Sequence, residues 1–469
     1  MIYCFLRNHN YVNEVQVASQ VFFPGEKFAF VENISETGFT VESMIKNDNT
    51  ANTVIYENGI EISRYIFRGE NEKYLNIRRI IILSIYHALQ KAVGAHTPWG
   101  ALTGIRPSKL VREWLDDGYK NEKIILTLQN PFCCTEEKAQ LALAVAHAEK
   151  QIEKRIRDAI GIYVSIPFCP SRCVYCSFNT SQKPADKFFL EKYISAVISE
   201  FREKVLETKN ISSIYIGGGT PTFLPENLLE KLLFYICEFF YTCGAEFTVE
   251  AGRPDTITAE KLKILRKYNV SRIAINPQTL NDHTLKAIGR SHSAADFFNA
   301  FLLAREAGFT CINTDFIAGL PGETPDDMYR SMESLQRLSP ENITIHTLAI
   351  KRASIANSMR ISLNGAFPEN AKQTSGEVES MLSIAAESCA EMGLSPYYLY
   401  RQKNMVGLFE NVGYSKPSNE CLYNVGMMAE VQTVLGFGAG AVSKYVIGNK
   451  ITRDFNAKNP EIYIERRSR

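Results

Sequence analysis

The feature that most constrains the fold is an alternation of apolar, strand-like runs with amphipathic helical stretches between residues 161 and 350. The runs are apolar on both faces, which is typical of strands buried in a parallel sheet. Strands that alternate with helices predict right-handed crossovers between parallel neighbours. The six strand candidates are residues 161–167, 213–218, 246–251, 272–277, 311–320 and 342–350. Helix candidates between them include 188–201, 226–240 and 259–268.

The length of this series limits how far the sheet can close. A closed eight-unit barrel needs about 250 residues, and the six units here span residues 161–350. The sequence therefore predicts an α/β fold whose core is a partial (β/α)6 barrel. We expect an N-terminal α+β extension and a C-terminal α+β region around that core.

The rest of the chain divides by pattern into further regions. Short alternating runs such as 12–23 (VNEVQVASQVFF) and 39–45 (FTVESMI) indicate a small β-rich region. Helical spacing over 77–93 and 136–160, and again near 371–392, predicts helices. Residues 99–110 (WGALTGIRPSKL) are expected to form a loop that carries Arg106 and Lys109. The expected boundaries are 1–75 (β-rich), 76–158 (helical), 159–365 (barrel core) and 366–469 (C-terminal region).

Charge and composition exclude several classes of protein. Lys and Arg number 52 against 51 Asp and Glu, so no long-range attraction to nucleic acid or anionic membrane is expected. The chain contains neither an apolar run of eighteen residues nor a signal-peptide pattern, so we expect no membrane span and a cytoplasmic location. With 11 cysteines, an odd number, metal or redox use of a few of them is favoured over a disulfide framework.

Three cysteines form the most specific chemical motif. Cys169, Cys173 and Cys176 lie in CPSRCVYC, directly after the first barrel strand. A zinc site would need a fourth Cys or His nearby, and chance clustering of free thiols is the other alternative. Three thiolates suit a [4Fe–4S] cluster that leaves one iron open to a small chelating molecule.

A glycine-rich turn, GGGTPT (217–222), follows the second strand. Its glycines allow a ligand to approach the backbone closely. The turn matches neither of the common nucleotide-phosphate motifs, so phosphate binding is disfavoured. Because the cysteine motif lies one strand earlier, we expect the glycine turn to belong to the same site.

Taken together, these motifs resemble the radical S-adenosylmethionine enzymes, and within them the oxygen-independent coproporphyrinogen III oxidase family. The resemblance also includes VEAGRPDT, RIAINPQTL, IGRSH and NTDFIAGLPGET, in order, across about residues 161–350. Outside that range, WGALTGIRP, ENVGYSKPSNECLYN and GFGAGAVSK are similar to the HemZ-like branch of this family.

The resemblance implies roles for individual residues. Cys169, Cys173 and Cys176 would bind the [4Fe–4S] cluster, whose fourth iron would be chelated by S-adenosylmethionine. One or two molecules of S-adenosylmethionine are implied, and Asp315 would hold ribose hydroxyls or the second molecule. The cofactor-binding residues implied are Tyr163, Tyr175, Gly218, Gly219, Thr220, Glu250, Gln278, Arg290, Asp315 and Ala349.

The resemblance also implies an activity and its partners. A 5′-deoxyadenosyl radical would remove hydrogen from propionate side chains of coproporphyrinogen III. Carbon dioxide would then leave and a vinyl group would form on the ring, as a step of haem biosynthesis. The substrate would be a tetrapyrrole, and a flavodoxin- or ferredoxin-like protein would supply low-potential electrons. Cations that could hold substrate carboxylates are Arg106, Lys109, Arg253, Lys351 and Arg352.

One departure leaves alternatives open. The established oxidases carry a further cysteine two residues after the third cluster cysteine, where this chain has Phe178. That difference resembles the haem-chaperone relatives, which keep the cluster. The alternatives are therefore a haem-binding chaperone of the same family, or a radical S-adenosylmethionine enzyme that acts on another tetrapyrrole.

Overall fold

A computed structural model describes the chain except for residues 48, 70, 71, 73, 177–185, 205–209, 241, 350–370, 403–405, 449, 468 and 469. The chain divides into two compact units. One unit comprises Met1–Leu143 with Arg401–Asn404, and the other comprises Ala144–Tyr400 with Met405–Arg469. Of the helices that the structure describes, none combines the length and the apolar composition that crossing a bilayer requires.

The first unit is built on a five-stranded sheet in the order β2-β1-β3-β4-β5. β1 pairs in parallel with β2 and β3, and β3–β5 form an antiparallel meander. The elements are β1 (Ile2–Arg7), α1 (Val12–Gln20), β2 (Phe28–Val31), β3 (Phe39–Asn47), β4 (Thr50–Glu57), β5 (Ile60–Arg68), α2 (Ile77–Val93), α3 (Pro107–Asp116) and α4 (Asn121–Gln129). α5 (Glu136–Ile156) follows.

Two sequence expectations for this unit were wrong in part. Residues 12–23 alternate like a strand, but Val12–Gln20 forms a helix because Val15, Ala18 and Ser19 lie on one buried helical face. The expected loop at 99–110 ends early, since Pro107 occupies the first turn of α3, a position that suits its fixed φ. Arg106 therefore occupies the N-cap position of that helix without a capping side-chain hydrogen bond, and Lys109 lies within the helix.

The second unit contains the predicted parallel strands in their predicted order. They are β6 (Ile160–Ile166), β7 (Ile211–Gly218), β8 (Glu246–Glu250), β9 (Arg272–Ala274), β10 (Cys311–Ala318) and β11 (Asn342–Thr347). The helices that alternate with them are α6 (Lys187–Lys204), α7 (Glu226–Phe239), α8 (Ala259–Lys267), α9 (Asp282–Ala287), α10 (Ala294–Glu306) and α11 (Pro325–Gln336). Each strand is parallel to its neighbour. Strand residues such as Ile162, Ile214 and Ile273 are fully buried. The fold is an α/β partial barrel.

The C-terminal region extends this sheet at both edges. Its elements are α12 (Ala371–Glu391), β12 (Ser395–Tyr400), β13 (Asn411–Ser415), α13 (Leu422–Ala429), β14 (Val434–Phe437), β15 (Val442–Ile447), β16 (Lys450–Phe455) and α14 (Pro460–Arg467). At one edge, β13 pairs antiparallel with β11, and β12 pairs antiparallel with β13. At the other edge, β14 pairs parallel with β6, and β15 and β16 follow as antiparallel neighbours. The result is one sheet of eleven described strands.

Residues 416–433 connect these two edges across the amino-terminal ends of the barrel strands. The main-chain oxygen of Asn419 accepts hydrogen bonds from Arg272, the first residue of β9, and from Asn342, the first residue of β11. At the start of α13, the Leu422 amide donates to Glu246 Oε2 at 3.1 Å, and Glu246 is the first residue of β8. This crossing segment therefore closes one end of the barrel and leaves its carboxyl-terminal edge to form a site.

Candidate functional site

The predicted site residues gather at the carboxyl-terminal edge of the barrel strands. The cysteine loop follows β6, the glycine turn ends β7, and Glu250 is the last residue of β8. Asp315 lies in β10, and Gln278 forms an isolated parallel bridge with Phe316 beside it. Parallel strands direct their carboxyl ends to one edge, which is why motifs separated in sequence meet here.

The cysteine loop is held against its neighbours by backbone and side-chain contacts. Cys169 Sγ lies 3.3 Å from Thr220 Oγ1. The Cys176 amide donates to the carbonyl of Cys173 at 3.0 Å, which forms a tight turn between these two thiols. Val174 N donates to Ile288 O at 3.1 Å and ties the turn to the end of α9. The three predicted ligands thus share one anchored loop.

The donor set of this loop fits a multi-iron cluster. Burial is the main reason that the pKa of Cys169 is raised to about 11, although its hydrogen bond with Thr220 opposes the shift. Cys176 and Cys173 also contribute to the raised pKa, so the three thiols lie within reach of one another's charge. Within the described ranges, no three His, Cys, Asp or Glu side chains are already arranged around one metal ion. In a [4Fe–4S] cluster each thiolate binds a different iron, so the three thiols do not need a common point of convergence.

The glycines of the β7 turn are required by close approach. A Cβ on Gly219 would lie 2.6 Å from Phe168 O and 2.8 Å from Phe168 N, which are backbone atoms of the cysteine loop. A Cβ on Gly217 would lie 2.6 Å from Glu250 Oε2. Gly218 has a φ of 106°, which favours glycine. The turn therefore presses the cysteine loop and Glu250 together without side chains between them.

Glu250 and Asp315 form an acidic pair inside the barrel. Burial, and then the charge of Asp315, raise the pKa of Glu250 to about 8, although a backbone hydrogen bond from Gly218 opposes the shift. Asn313 Nδ2 donates to Asp315 Oδ1 at 2.8 Å, and the amide of Gln278 donates to the main-chain oxygen of Asp315 at 3.0 Å. Two adjacent carboxylates in a low-dielectric site favour a cationic ligand or one with several hydrogen-bond donors.

A stack of aromatic rings lies beside this acidic pair. The ring of Tyr215 is 4.5 Å from that of Tyr423 and 6.4 Å from that of Tyr163, and all three are stacked. Tyr163 was predicted to be a site residue, and its hydroxyl lies 3.4 Å from the position of a Cβ on Gly218. Tyr423 comes from the crossing segment, so sequence patterns within the barrel could not indicate it.

Arg290 and Tyr175 form a second predicted pair. Arg290 Nη1 donates to the Tyr175 hydroxyl at 3.3 Å, and Nη2 donates to the carbonyls of Gly252 at 2.5 Å and Asn276 at 2.6 Å. The guanidinium is buried, and its Nε has no hydrogen-bond partner within the described part of the chain. Arg290 therefore ties the ends of β8 and β9 to the cysteine loop and retains one free donor.

The structure describes two further predicted site residues, Gln278 and Ala349, but not Phe178, the position at which the sequence departs from the oxidases. Gln278 has a φ of 72° and donates and accepts backbone hydrogen bonds with β10, so it shapes the edge of the site. Ala349 lies two residues beyond β11 and is half-buried, and its role stays a prediction. Phe178 lies outside the described residues.

The candidate cations have varied positions. Arg253 is buried and its guanidinium is engaged by Asp255 and Ser171, so it does not offer a free charge to a substrate carboxylate. This corrects the expectation for Arg253. Arg106 and Lys109 belong to the other compact unit, and Lys351 and Arg352 lie outside the described residues.

Sequence reasoning missed His346 and Tyr400. His346 Nε2 lies 3.6 Å from Asp315 Oδ2, and its Nδ1 lies 3.4 Å from the Tyr400 hydroxyl. His346 is on β11, one strand from Asp315, and the sequence analysis did not include it in the site. Its place one residue before the end of a barrel strand was the one signal that could have indicated it.

Comparisons with known proteins agree with this geometry. Residues 163–335 match the radical SAM superfamily. The oxygen-independent coproporphyrinogen-III oxidase-like protein HemZ of Bacillus subtilis is 38% identical over 411 residues, which cover 85% of this chain and 80% of that protein. The heme chaperone HemW of the same organism is 31% identical over 312 residues, with coverage of 65% and 74%.

The solved structures extend the comparison to the fold. Coproporphyrinogen III oxidase (HemN) from Escherichia coli, described as a radical SAM enzyme, aligns with a TM-score of 0.53 at 23% identity. The alignment covers 68% of this chain and 71% of that chain. At this identity, the likeness establishes the shared fold.

Proposed function

The chain belongs to the radical SAM coproporphyrinogen oxidase family, and from that premise we propose that it is an oxidoreductase that decarboxylates propionates of coproporphyrinogen III to vinyl groups. The family implies a [4Fe–4S] cluster and S-adenosylmethionine. When bound, these groups would supply the 5′-deoxyadenosyl radical that takes one hydrogen atom from each propionate; carbon dioxide would leave, and one electron per propionate would pass to an electron acceptor as the vinyl group forms. Residues of this chain would have to bind the two groups, orient them and exclude water.

Both side chains and backbone groups of the candidate site would bind and orient the cluster and S-adenosylmethionine. Cys169, Cys173 and Cys176 would hold the cluster, and the Gly218–Thr220 backbone would receive the methionine end of S-adenosylmethionine. Glu250 would accept hydrogen bonds from its cationic or hydroxyl groups, and Asp315 would accept those of a ribose or of a second molecule of S-adenosylmethionine. The stacked rings of Tyr163, Tyr215 and Tyr423 would exclude water from the barrel interior.

One observation carries this proposal: the cysteine loop, the glycine turn and the Glu250–Asp315 pair meet at one edge of a single parallel sheet. Burial raises the pKa of Glu250 because its charged form is costly there, and a cationic partner would compensate that cost. A chain that only needed a structural metal would not require a buried acidic pair on β8 and β10 of the same sheet.

The test is an anaerobic assay of the reconstituted full-length protein with S-adenosylmethionine, coproporphyrinogen III and dithionite. We expect 5′-deoxyadenosine to form faster with substrate than without it, and carbon dioxide and protoporphyrinogen IX to appear in step. Formation of 5′-deoxyadenosine with no porphyrinogen turnover would contradict the oxidase activity but not the radical chemistry.

A haem-binding chaperone is the second candidate. The resemblance to a protein described as heme chaperone HemW, at 31% identity, supports it, as does Phe178 in place of a further cysteine. The third option is radical chemistry on another tetrapyrrole. The assay separates these functions because a chaperone would bind haem stoichiometrically without consuming S-adenosylmethionine.

Electrons would come from a low-potential donor of the flavodoxin or ferredoxin type. This partner, like the cytoplasmic location, stays a prediction. Replacing dithionite in the assay by a reduced flavodoxin would test it, since a compatible donor should support 5′-deoxyadenosine formation.

A further inference from the structure

Arg253 lies beneath the cysteine loop, between the end of β8 and the short helical turn Pro254–Thr256. The residue is 2% exposed, so its guanidinium is removed from bulk solvent. A charged group at such a position needs a compensating charge and a full set of hydrogen bonds.

Both requirements are met by two neighbours. Nε and Nη2 of Arg253 donate to the two carboxylate oxygens of Asp255 at 3.0 and 3.1 Å, which forms a two-pronged ion pair. Nη1 donates to Ser171 Oγ at 2.9 Å and to Ser171 O at 3.3 Å. All three guanidinium nitrogens are therefore engaged, and one of them holds the residue between Cys169 and Cys173.

Ser171 passes this restraint to the other side of the loop. Its hydroxyl donates to Gly289 O at 2.8 Å while it accepts from Arg253. A Cβ on Gly289 would lie 3.3 Å from Arg172 O, so the turn at the end of α9 packs directly on the loop. The stretch between the first two cysteines is thus clamped between Arg253 and Gly289.

The charges are arranged unevenly around the loop. The guanidinium of Arg253 is buried against Ser171, whereas the Asp255 side chain behind it is 24% exposed. His292 Nδ1 lies 3.9 Å from Asp255 Oδ1. Burial, followed by the charge of Arg290, lowers the pKa of His292 to about 4, so its ring is neutral near pH 7. The charge nearest the cysteine loop in this group is therefore positive.

We propose that Arg253 is a positioning residue that fixes the cysteine loop through Ser171 and raises the reduction potential of the cluster bound there. The inference rests on the proposed function, because it requires the cluster. Reduction adds an electron, so a buried cation beside the ligands favours the reduced state, and its effect is large in a low-dielectric environment. Asp255 opposes that effect and at the same time orients the guanidinium.

The two partners should therefore change the potential in opposite directions. Arg253→Met leaves the carboxylate of Asp255 unpaired, so the midpoint potential should fall. We expect at least a tenfold lower ratio of reduced to oxidised cluster at a fixed potential, which is 59 mV for a one-electron couple. Asp255→Asn keeps the cation and removes the opposing charge, so the potential should rise. Arg253→Lys keeps the positive charge but loses the two-pronged hydrogen bonding to Asp255. The midpoint potential of the cluster should therefore stay near the wild-type value, whereas iron should be lost faster to a chelator.

The experiment measures iron content and midpoint potential of the reconstituted full-length protein by spectroscopic redox titration. Lys263→Met is the matched control, because it also removes a positive charge but its side chain is 74% exposed on α8. Potentials in Arg253→Met and Asp255→Asn that equal the control would overturn this inference alone. A wild-type protein that retains no iron would overturn the proposed function, and the inference with it. Should Arg253→Met not fold, the raised potential expected of Asp255→Asn and the unchanged potential expected of Arg253→Lys still test the inference, and an Asp255→Asn potential equal to that of the control would overturn it.

Discussion

At the scale of single residues, the site depends on thiols whose surroundings differ from those of the other cysteines. Replacing Cys169, Cys173 or Cys176 by Ala should remove the cluster, because each thiolate is expected to bind one iron. Cys389 is the control: it is fully buried in α12, and burial raises its pKa far above the ordinary value, so it acts as a small apolar side chain. Iron and sulfide analysis after anaerobic reconstitution measures the outcome. Full iron content in the triple variant would refute the ligand assignment.

Glu250 gives the site a dependence on pH. Its pKa of about 8 means that the free protein holds this carboxyl protonated near pH 6 to 7, whereas a cationic ligand binds the ionised form. The affinity for S-adenosylmethionine should therefore rise with pH, by up to about tenfold per unit below pH 8, and level off above it. Binding should release a proton in the lower range.

Calorimetry of the cluster-loaded protein in buffers of different ionisation enthalpy measures that proton. Glu250→Gln should bind more weakly and without proton release. Asp315→Asn should shift the pH dependence downward, because the charge of Asp315 contributes to the raised pKa. An affinity that is independent of pH in the wild type would remove Glu250 from the binding site.

At the scale of elements, the segment that crosses the amino-terminal end of the barrel depends on one buried ion pair. Glu246 accepts a hydrogen bond from Arg272 Nη2 at 3.3 Å, and both side chains are nearly inaccessible to solvent. Glu246 also accepts hydrogen bonds from the amide of Leu422 and the thiol of Cys421, so it caps α13 from outside the helix. Two further nitrogens of Arg272 have no partner within the described part of the chain.

Glu246→Ala should therefore destabilise the protein strongly. The change leaves Arg272 buried without its counter-charge and the first turn of α13 without an acceptor, a loss of about 3–5 kcal/mol. Glu260→Ala is the control, since the Glu260 side chain is 65% exposed and its pairing with Lys263 contributes little. Urea denaturation followed by circular dichroism compares the two variants. Equal midpoints would show that the ion pair is not needed for stability.

The sequence predicted the barrel strands better than the elements around them. β9 ends at Ala274, three residues before its predicted end, because the chain leaves the ladder before Gln278 adopts a positive φ. The additions at the sheet edges were not predicted: β14 pairs Val434 with Gly161, and no local pattern specifies so distant a partner. The same limit applies to the site, where Glu250 and Asp315 follow from strand patterns but Tyr423 depends on how the crossing segment folds back.

At the scale of the whole molecule, the question is whether the barrel interior is built for a porphyrinogen or for haem iron. Iron in haem needs an accessible axial ligand, most often the imidazole of a histidine. His346 is a histidine of the barrel interior, but its two ring nitrogens face Asp315 and Tyr400. Binding of haem iron there would have to break one of these contacts, whereas an iron-free porphyrinogen could enter without doing so.

The affinity for a tetrapyrrole should therefore be similar whether or not the tetrapyrrole carries iron. We expect metal-free coproporphyrin to compete with ferric haem at comparable concentrations, and the absorption spectrum of bound haem to be the same in wild type and in His346→Gln. The loss of His346 should instead lower turnover of coproporphyrinogen III, because Asp315 would lose a neighbour that orients it. A haem spectrum typical of histidine ligation that disappears in His346→Gln would contradict this expectation. Such a spectrum would favour the chaperone, because it would show that the pair with Asp315 prepares the imidazole as an iron ligand.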